Sequence, residues 1–405
     1  MTAAAALFVC SVWGLASLTA NIVEEAQMAN ASKVKHQWHL SEHHLRRWQR
    51  RPGEHPKAAF VEISGRTGVT GYRASASELR WLDGAHAGKI CKTAARAEEK
   101  AAARAWLDYS KRVWAPARRP VAPPLGAEKD ALSFFFHQTG APGTGAAPVA
   151  EPIEPLHGIG RHPFSAVGCP GLNKRDPICS ICSHEKDNWC DRHCDVFKID
   201  YLVLHNGCGR PGPKPRVLLF DLGASKGFRG VPGGAYDTVP TKAGAKTPSL
   251  PIFYKLYADR CLEPDDVFAW EPAGPEAGSP ALWWGELPPE QRAKVRFYNT
   301  LVGEEPVGGR PNAASFLKIL EAVATPGDFV VVKLDVDTPA VEFAIIEAIA
   351  ARPALANLID ELFFEYHYHF DGISFGWQEV HGDVDSALSL MHRLRSLGIR
   401  AHFWV

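Results

Sequence analysis

Residues 215–227 read Pro-Arg-Val-Leu-Leu-Phe-Asp-Leu-Gly-Ala-Ser-Lys-Gly, and they constrain the fold more than any other stretch. Val217 to Phe220 form an uninterrupted apolar run, as expected of a strand buried on both faces of a parallel sheet. The run ends in Asp221; Gly223 and Gly227 then make a turn where backbone can approach a ligand without side chains in the way. An acidic residue closing a buried strand, with spaced glycines behind it, marks a small-molecule site at the edge of an open α/β sheet.

From this strand onward the pattern alternates. A helix is predicted over 248–260, carrying Ile252, Phe253, Leu256 and Tyr257 on one face, and further helices over 339–351 and 384–397. Strands are predicted over 267–270, 294–298, 328–334, 362–366 and 400–405. Strands alternating with helices imply right-handed βαβ units, hence an α/β fold with a Rossmann-like, doubly wound, mostly parallel sheet over 211–405.

The upstream half divides by composition. Within 1–30, residues 3–20 are apolar apart from Ser and Thr, which predicts a signal peptide or a signal anchor in the membrane; a buried alanine-rich helix is the alternative. No positive residue precedes that run, whereas Lys33 and Lys35 follow it. Residues 31–115 read as mainly helical, with helices over 33–51 and 93–113 and a short strand near 58–63. The stretch 116–165 is rich in Pro, Gly and Ala and reads as a linker, with the patch Leu132-Ser133-Phe134-Phe135-Phe136 as an anchor. A Cys-rich segment, 166–210, leads into the core by a strand over 196–204.

With Cys10 inside the leader, eight of the nine cysteines remain, a number compatible with disulfides. Cys179-x-x-Cys182 and Cys190-x-x-x-Cys194, with His184 and His193, also have ligand types that suit tetrahedral zinc. Cys169 and Cys208 flank the cluster, and disulfides stapling a loop-rich insert are the preferred reading for an oxidising lumen. The sequon Asn30-Ala31-Ser32 fits the same route, so a secretory-pathway location is expected, with the Golgi membrane as one form of it. Forty-five basic residues balance forty-five acidic ones, which removes the electrostatic case for nucleic acid.

Acidic residues close three of the predicted strands: Asp221, Glu271 and Asp335. In an open sheet these ends line one crevice, and a carboxylate after the second strand suits the two hydroxyls of a ribose. Asp221-Leu-Gly223-Ala-Ser225-Lys-Gly227, followed by Trp270-Glu271-Pro272, resembles the cofactor-binding pattern of class I S-adenosylmethionine-dependent methyltransferases. Lys333-Leu-Asp335-Val-Asp337 with Glu342 is similar to the Lys-Ile-Asp-Val-Glu-Gly signature of FkbM-type methyltransferases. The resemblance covers roughly residues 200–405. It implies O-methylation, often of a sugar or glycan, with S-adenosylmethionine held by Asp221, Gly223, Ser225, Gly227, Glu271 and Asp335.

Two departures stand out. Residues 228–247 lengthen the path from the glycine loop to Glu271 and could form a lid, and Asp337-Thr338-Pro339 stands where the family has Glu-Gly-Ala. A nicotinamide-binding domain is the nearest competitor, but it prefers G-x-G-x-x-G where this chain has G-x-x-x-G. A methyltransferase-like fold retained as a binding or scaffolding module is a further alternative.

A base for a hydroxyl acceptor is expected after the fifth strand, in Glu365-Tyr-His367-Tyr-His369-Phe-Asp371. In extended backbone Glu365, His367 and His369 share a face, and imidazole removes a hydroxyl proton near neutral pH. His367 and His369, with Asp335, are therefore the catalytic candidates. The trio could instead hold a divalent metal, or simply satisfy loops at the strand mouth; with few carboxylates in view, no metal is expected.

Overall fold

The computed structural model describes residues 60–64, 66, 68–82, 97–114, 120–138, 148–156, 199, 201–210, 212–228, 248–272, 283–285, 287–302, 315–367 and 384–404. The leader, the helix predicted over 33–51, the cysteines from Cys169 to Cys194 and the candidate lid beyond Phe228 lie outside these residues.

The first part of the described chain is an antiparallel sheet with helices beside it. Its elements are β1 (Phe60–Glu62), β2 (Val69–Arg73), α1 (Ala76–Leu82), α2 (Ala97–Trp114), α3 (Ala127–Ala131), β3 (Ser133–His137) and β4 (Val149–Ile153), with strand order β1-β2-β3-β4. The short strand expected near 58–63 is β1, and β2 follows it unforeseen. One expectation is corrected: the predicted linker contains α3, β3 and β4. Three consecutive phenylalanines favour a strand strongly, and Pro152 is tolerated because β4 is at an edge of its sheet. Average Pro, Gly and Ala content over fifty residues hides both signals.

The second part is a parallel sheet. Its strands and helices are β5 (Val217–Leu222), α4 (Ser249–Ala258), β6 (Asp266–Trp270), α5 (Pro289–Arg292), β7 (Val295–Tyr298), α6 (Phe316–Val323), β8 (Phe329–Leu334), α7 (Pro339–Ala351), α8 (Pro353–Ala356), β9 (Glu361–Phe364), α9 (Val384–Ser396) and β10 (Arg400–Phe403). Six strands pair in the order β10-β9-β8-β5-β6-β7, and every pairing is parallel. Counted from β5 this is the 3-2-1-4-5-6 order of a doubly wound sheet, with its topological switch between β5 and β8. All residues of β5 and β8 are buried, as their apolar runs require.

One face of the sheet packs on α6, α7 and α9 through Phe316, Ile345, Ile346, Leu388 and Met391. The other packs on α2 and α4 through Trp106, Leu107, Phe253 and Tyr257. Residues 201–204, the described end of the strand expected over 196–204, form none. The Val203 N–H goes to a Glu154 carboxylate oxygen at 2.8 Å and the His205 N–H to Glu361 Oε1 at 3.1 Å, so side chains take the place of a ladder.

The two sheets are joined by buried charge. Arg395, on α9, donates to Glu154 O at 2.8 Å and to Ala401 O at 3.0 Å, and pairs with Glu154 at 3.3 Å and Glu78 at 3.5 Å. His402 lies between Glu154 at 2.7 Å and Glu361 at 2.8 Å, one carboxylate to each ring nitrogen. Burial alone would lower its pKa, but these two carboxylates outweigh it and raise it. Cys208, expected among the cysteines that staple the Cys-rich segment, is instead disulfide-bonded to Cys261, just beyond α4; the other cysteines of that segment lie outside the described residues.

Candidate functional site

Helix α4 leaves β5 toward one face of the sheet and α7 leaves β8 toward the other, so a crevice opens above the ends of these neighbours. The loops at its floor touch closely. The Gly223 and Ala224 N–H groups both donate to Trp270 O, at 3.1 and 2.9 Å, and the Asp335 N–H donates to Leu222 O at 3.1 Å. Gly223 has φ 90°, and a Cβ placed there would lie 1.6 Å from the Asp335 carbonyl oxygen. Gly227 has φ 52° and abuts Trp283, whose indole N–H donates to Ala224 O at 2.8 Å. Contacts within the protein therefore already demand both glycines. Ser225, between them, is exposed.

Lys333 gathers this floor. Its ammonium donates to Gly223 O at 2.7 Å and lies 2.9 Å from Asp335 Oδ2 and 3.4 Å from Asp221 Oδ1. Burial pulls its pKa down, and the two carboxylates more than reverse this, so the group stays charged. Asp221 is fully buried and accepts from Ser249 Oγ, at the start of α4, at 2.6 Å. Burial raises the Asp221 carboxyl in spite of Lys333. In Asp335, by contrast, Lys333 and a hydrogen bond with Glu365 overcome burial and hold the carboxyl below its ordinary value.

Glu271 follows β6, half-buried, with its N–H on Tyr298 O at 3.2 Å. Burial, reinforced by Asp221, Asp335 and Asp337 and opposed by Lys333, pushes its carboxyl up to about 7.

Past β9 the chain brings Glu365 and His367 to the same mouth. His367 is 1% exposed, with Nε2 3.3 Å from Glu342 Oε2 and 3.6 Å from Glu365 Oε2. Glu342, in the first turn of α7, accepts the Val336 N–H at 2.8 Å through Oε1. Asp337 is exposed beside them with φ 52°. Asp337, Glu365 and His367 each offer a ligand atom, and these atoms lie within 4.8 Å of one another.

The structure thus brings Asp221, Gly223, Ser225, Gly227, Glu271, Asp335 and His367 to one edge of the sheet, but not in equivalent positions. Asp221 lies beneath the floor, Glu271 and Asp335 reach the mouth, and His367 faces carboxylates; His369 lies outside the described residues. Sequence reasoning missed the roles of Lys333, Ser249 and Glu342. Lys333 did leave a signal: it is the only charged residue in the apolar run of β8. The expectation of few carboxylates also needs correction, because folding sets Asp335, Asp337, Glu342 and Glu365 around one mouth.

Compared with known proteins, the chain matches no family model, no curated protein sequence and no solved structure.

Proposed function

We propose that this crevice binds S-adenosylmethionine and that the protein is an O-methyltransferase of the class I type. The observation that carries the reading is Glu271: a half-buried carboxylate at the end of the strand next to β5, as binding a ribose diol requires. The bound cofactor supplies a methyl group on a sulfonium, and its transfer to a hydroxyl oxygen leaves a neutral thioether and releases the hydroxyl proton. The chain's own part is placement. Lys333 fixes the β5 and β8 loops to each other and keeps Asp335 ionised, and the surrounding carboxylates favour a cationic ligand. Asp335 and His367 remain the base candidates within the described residues.

The acceptor we propose is a sugar or glycan hydroxyl, on the strength of the FkbM-like motif around Lys333 and Asp335. A secretory-pathway site of action, with residues 3–20 as signal or anchor, is supported by the Cys208–Cys261 disulfide. Among the described residues no helix is long and apolar enough to cross a membrane.

Calorimetric titration of the full chain with S-adenosylmethionine and S-adenosylhomocysteine tests the proposal. Micromolar binding that Glu271→Ala weakens by about tenfold or more supports it, since a hydrogen bond to a charged group contributes about 1.5–3 kcal/mol. A folded protein that binds neither compound sinks it. That outcome favours the second reading, a binding or scaffolding module, which gains weight because Gly223 and Gly227 are explained by internal contacts alone.

A further inference from the structure

We propose that Asp337, Glu365 and His367 bind a divalent cation of the Mn²⁺ kind at the mouth of the crevice. The three residues come from two connections, Asp337 from the loop between β8 and α7 and the others from the segment after β9, and they meet only in the folded chain. Their ligand atoms lie no more than 4.8 Å apart. Ligands bonded at about 2.1 Å to one ion are separated by up to about 4.2 Å, so side-chain shifts of less than an ångström close the set. Two carboxylates with one imidazole form a mixed oxygen and nitrogen set, which suits Mn²⁺ better than a thiolate-seeking ion. Three protein ligands also leave coordination positions open for an exogenous oxygen.

A separate observation points to the same place. Glu342 is fully buried, and its Oε2 makes no hydrogen bond although it lies 3.3 Å from His367 Nε2. A metal-ligating His367 is a neutral imidazole and gives this buried oxygen no positive charge, which a cation held by His367 and Glu365 supplies. Lys333 does not fill that role, because its ammonium is engaged by Gly223, Asp221 and Asp335.

Such an ion gives the site an electrophile that orients an acceptor hydroxyl and acidifies it. This use rests on the methyl-transfer reading; the binding itself does not. His367 is then a ligand and not a free base, which agrees with its burial against carboxylates.

The full-length protein, stripped with a chelator and freed of it, is titrated with MnCl₂ while electron paramagnetic resonance counts the free ion. Mn²⁺ is chosen because cysteine thiolates compete poorly for it. One saturable equivalent, weakened at least about tenfold in both Asp337→Asn and Glu365→Gln, is the expected result. Asp337 is exposed and asparagine tolerates its left-handed backbone, so Asp337→Asn should keep the near-ultraviolet circular dichroism of the parent. Absence of saturable binding, or equal binding by folded Asp337→Asn, overturns the proposal. The titration contains no adenosyl ligand. Metal binding without S-adenosylmethionine binding upholds this site and removes the methyl-transfer reading; the reverse result removes the metal alone.

Discussion

Glu271 carries the sharpest expectation at the scale of the residue. Its carboxyl titrates at about 7 in the free protein, and only the ionised form accepts both hydroxyls of a ribose. Affinity for S-adenosylhomocysteine should therefore rise about tenfold per pH unit below 7 and level off above it, as calorimetry from pH 5.5 to 8.5 will show. A flat profile would remove Glu271 from the ligand. The same shift acts on stability: a carboxyl raised from 4.5 to about 7 loses stability for the fold as pH rises through that interval. Glu271→Gln should accordingly match the parent at pH 4 and exceed it in denaturant midpoint at pH 8. Gly223→Ala has a different cause and the opposite sign. A positive φ and a carbonyl oxygen 1.6 Å from the new Cβ should cost at least about 2 kcal/mol in chemical denaturation, with the cofactor site damaged as well. Lys333→Met leaves Asp221 buried beside Ser249 without its cation, and a loss of about 3–5 kcal/mol is expected.

Among the elements, the parallel sheet was readable, whereas of the antiparallel sheet only β1 was. The apolar runs of β5 and β8 have no polar interruption except at Asp221 and Lys333, and α7 occupies the residues its pattern predicted. Boundaries elsewhere moved by one or two residues, as with β9, whose first residue is the charged Glu361. That glutamate is accepted in a strand because His402 and Tyr257 reach it across the fold, at 2.8 Å each, which no local pattern can reveal. The ends of β5, β6 and β8 announced the acidic edge of the site through Asp221, Glu271 and Asp335. Asp337 and Glu342 were marked by the motif around Lys333, but the turn into α7 that brings them to His367 was not legible. The pairing of β10 with its neighbours gives an element-scale test. His402 has a raised pKa in the fold, so its contribution is fully present below 6.5 and disappears as pH rises through the raised value. Glu154 and Glu361 face it from both sides, and Arg400 shares the latter. His402→Gln should cost more stability at pH 6 than at pH 9 in urea titrations, and an unchanging difference would show that the imidazolium charge is not what matters.

At the scale of the whole molecule, the disulfide and the buried ion pairs hold distant segments together. Cys208 and Cys261 are separated by 53 residues, and closing such a loop restricts the unfolded chain by about 4 kcal/mol. A reductant should lower the melting temperature, and Cys208→Ser with Cys261→Ser should lower it equally without changing the response to S-adenosylmethionine. The ties around Arg395 and Arg400 have another consequence, which concerns the free edge of the parallel sheet. Strand β10 is terminal in its sheet, and an unguarded strand edge recruits the edge of another molecule. Here Tyr201 donates to Phe403 O at 2.8 Å, and Arg400 donates to Pro152 O at 2.8 Å and Val203 O at 2.9 Å, so the upstream chain lies along that margin. At the opposite margin β7 has only four residues, and its exposed Arg296 adds a charge there, paired with Asp266 of β6 at 2.6 Å. The antiparallel sheet and the segment after residue 200 therefore act as a guard against self-association. A fragment beginning at residue 211 would expose β10 together with stranded charges, and light scattering should find it aggregated where the intact chain stays dispersed.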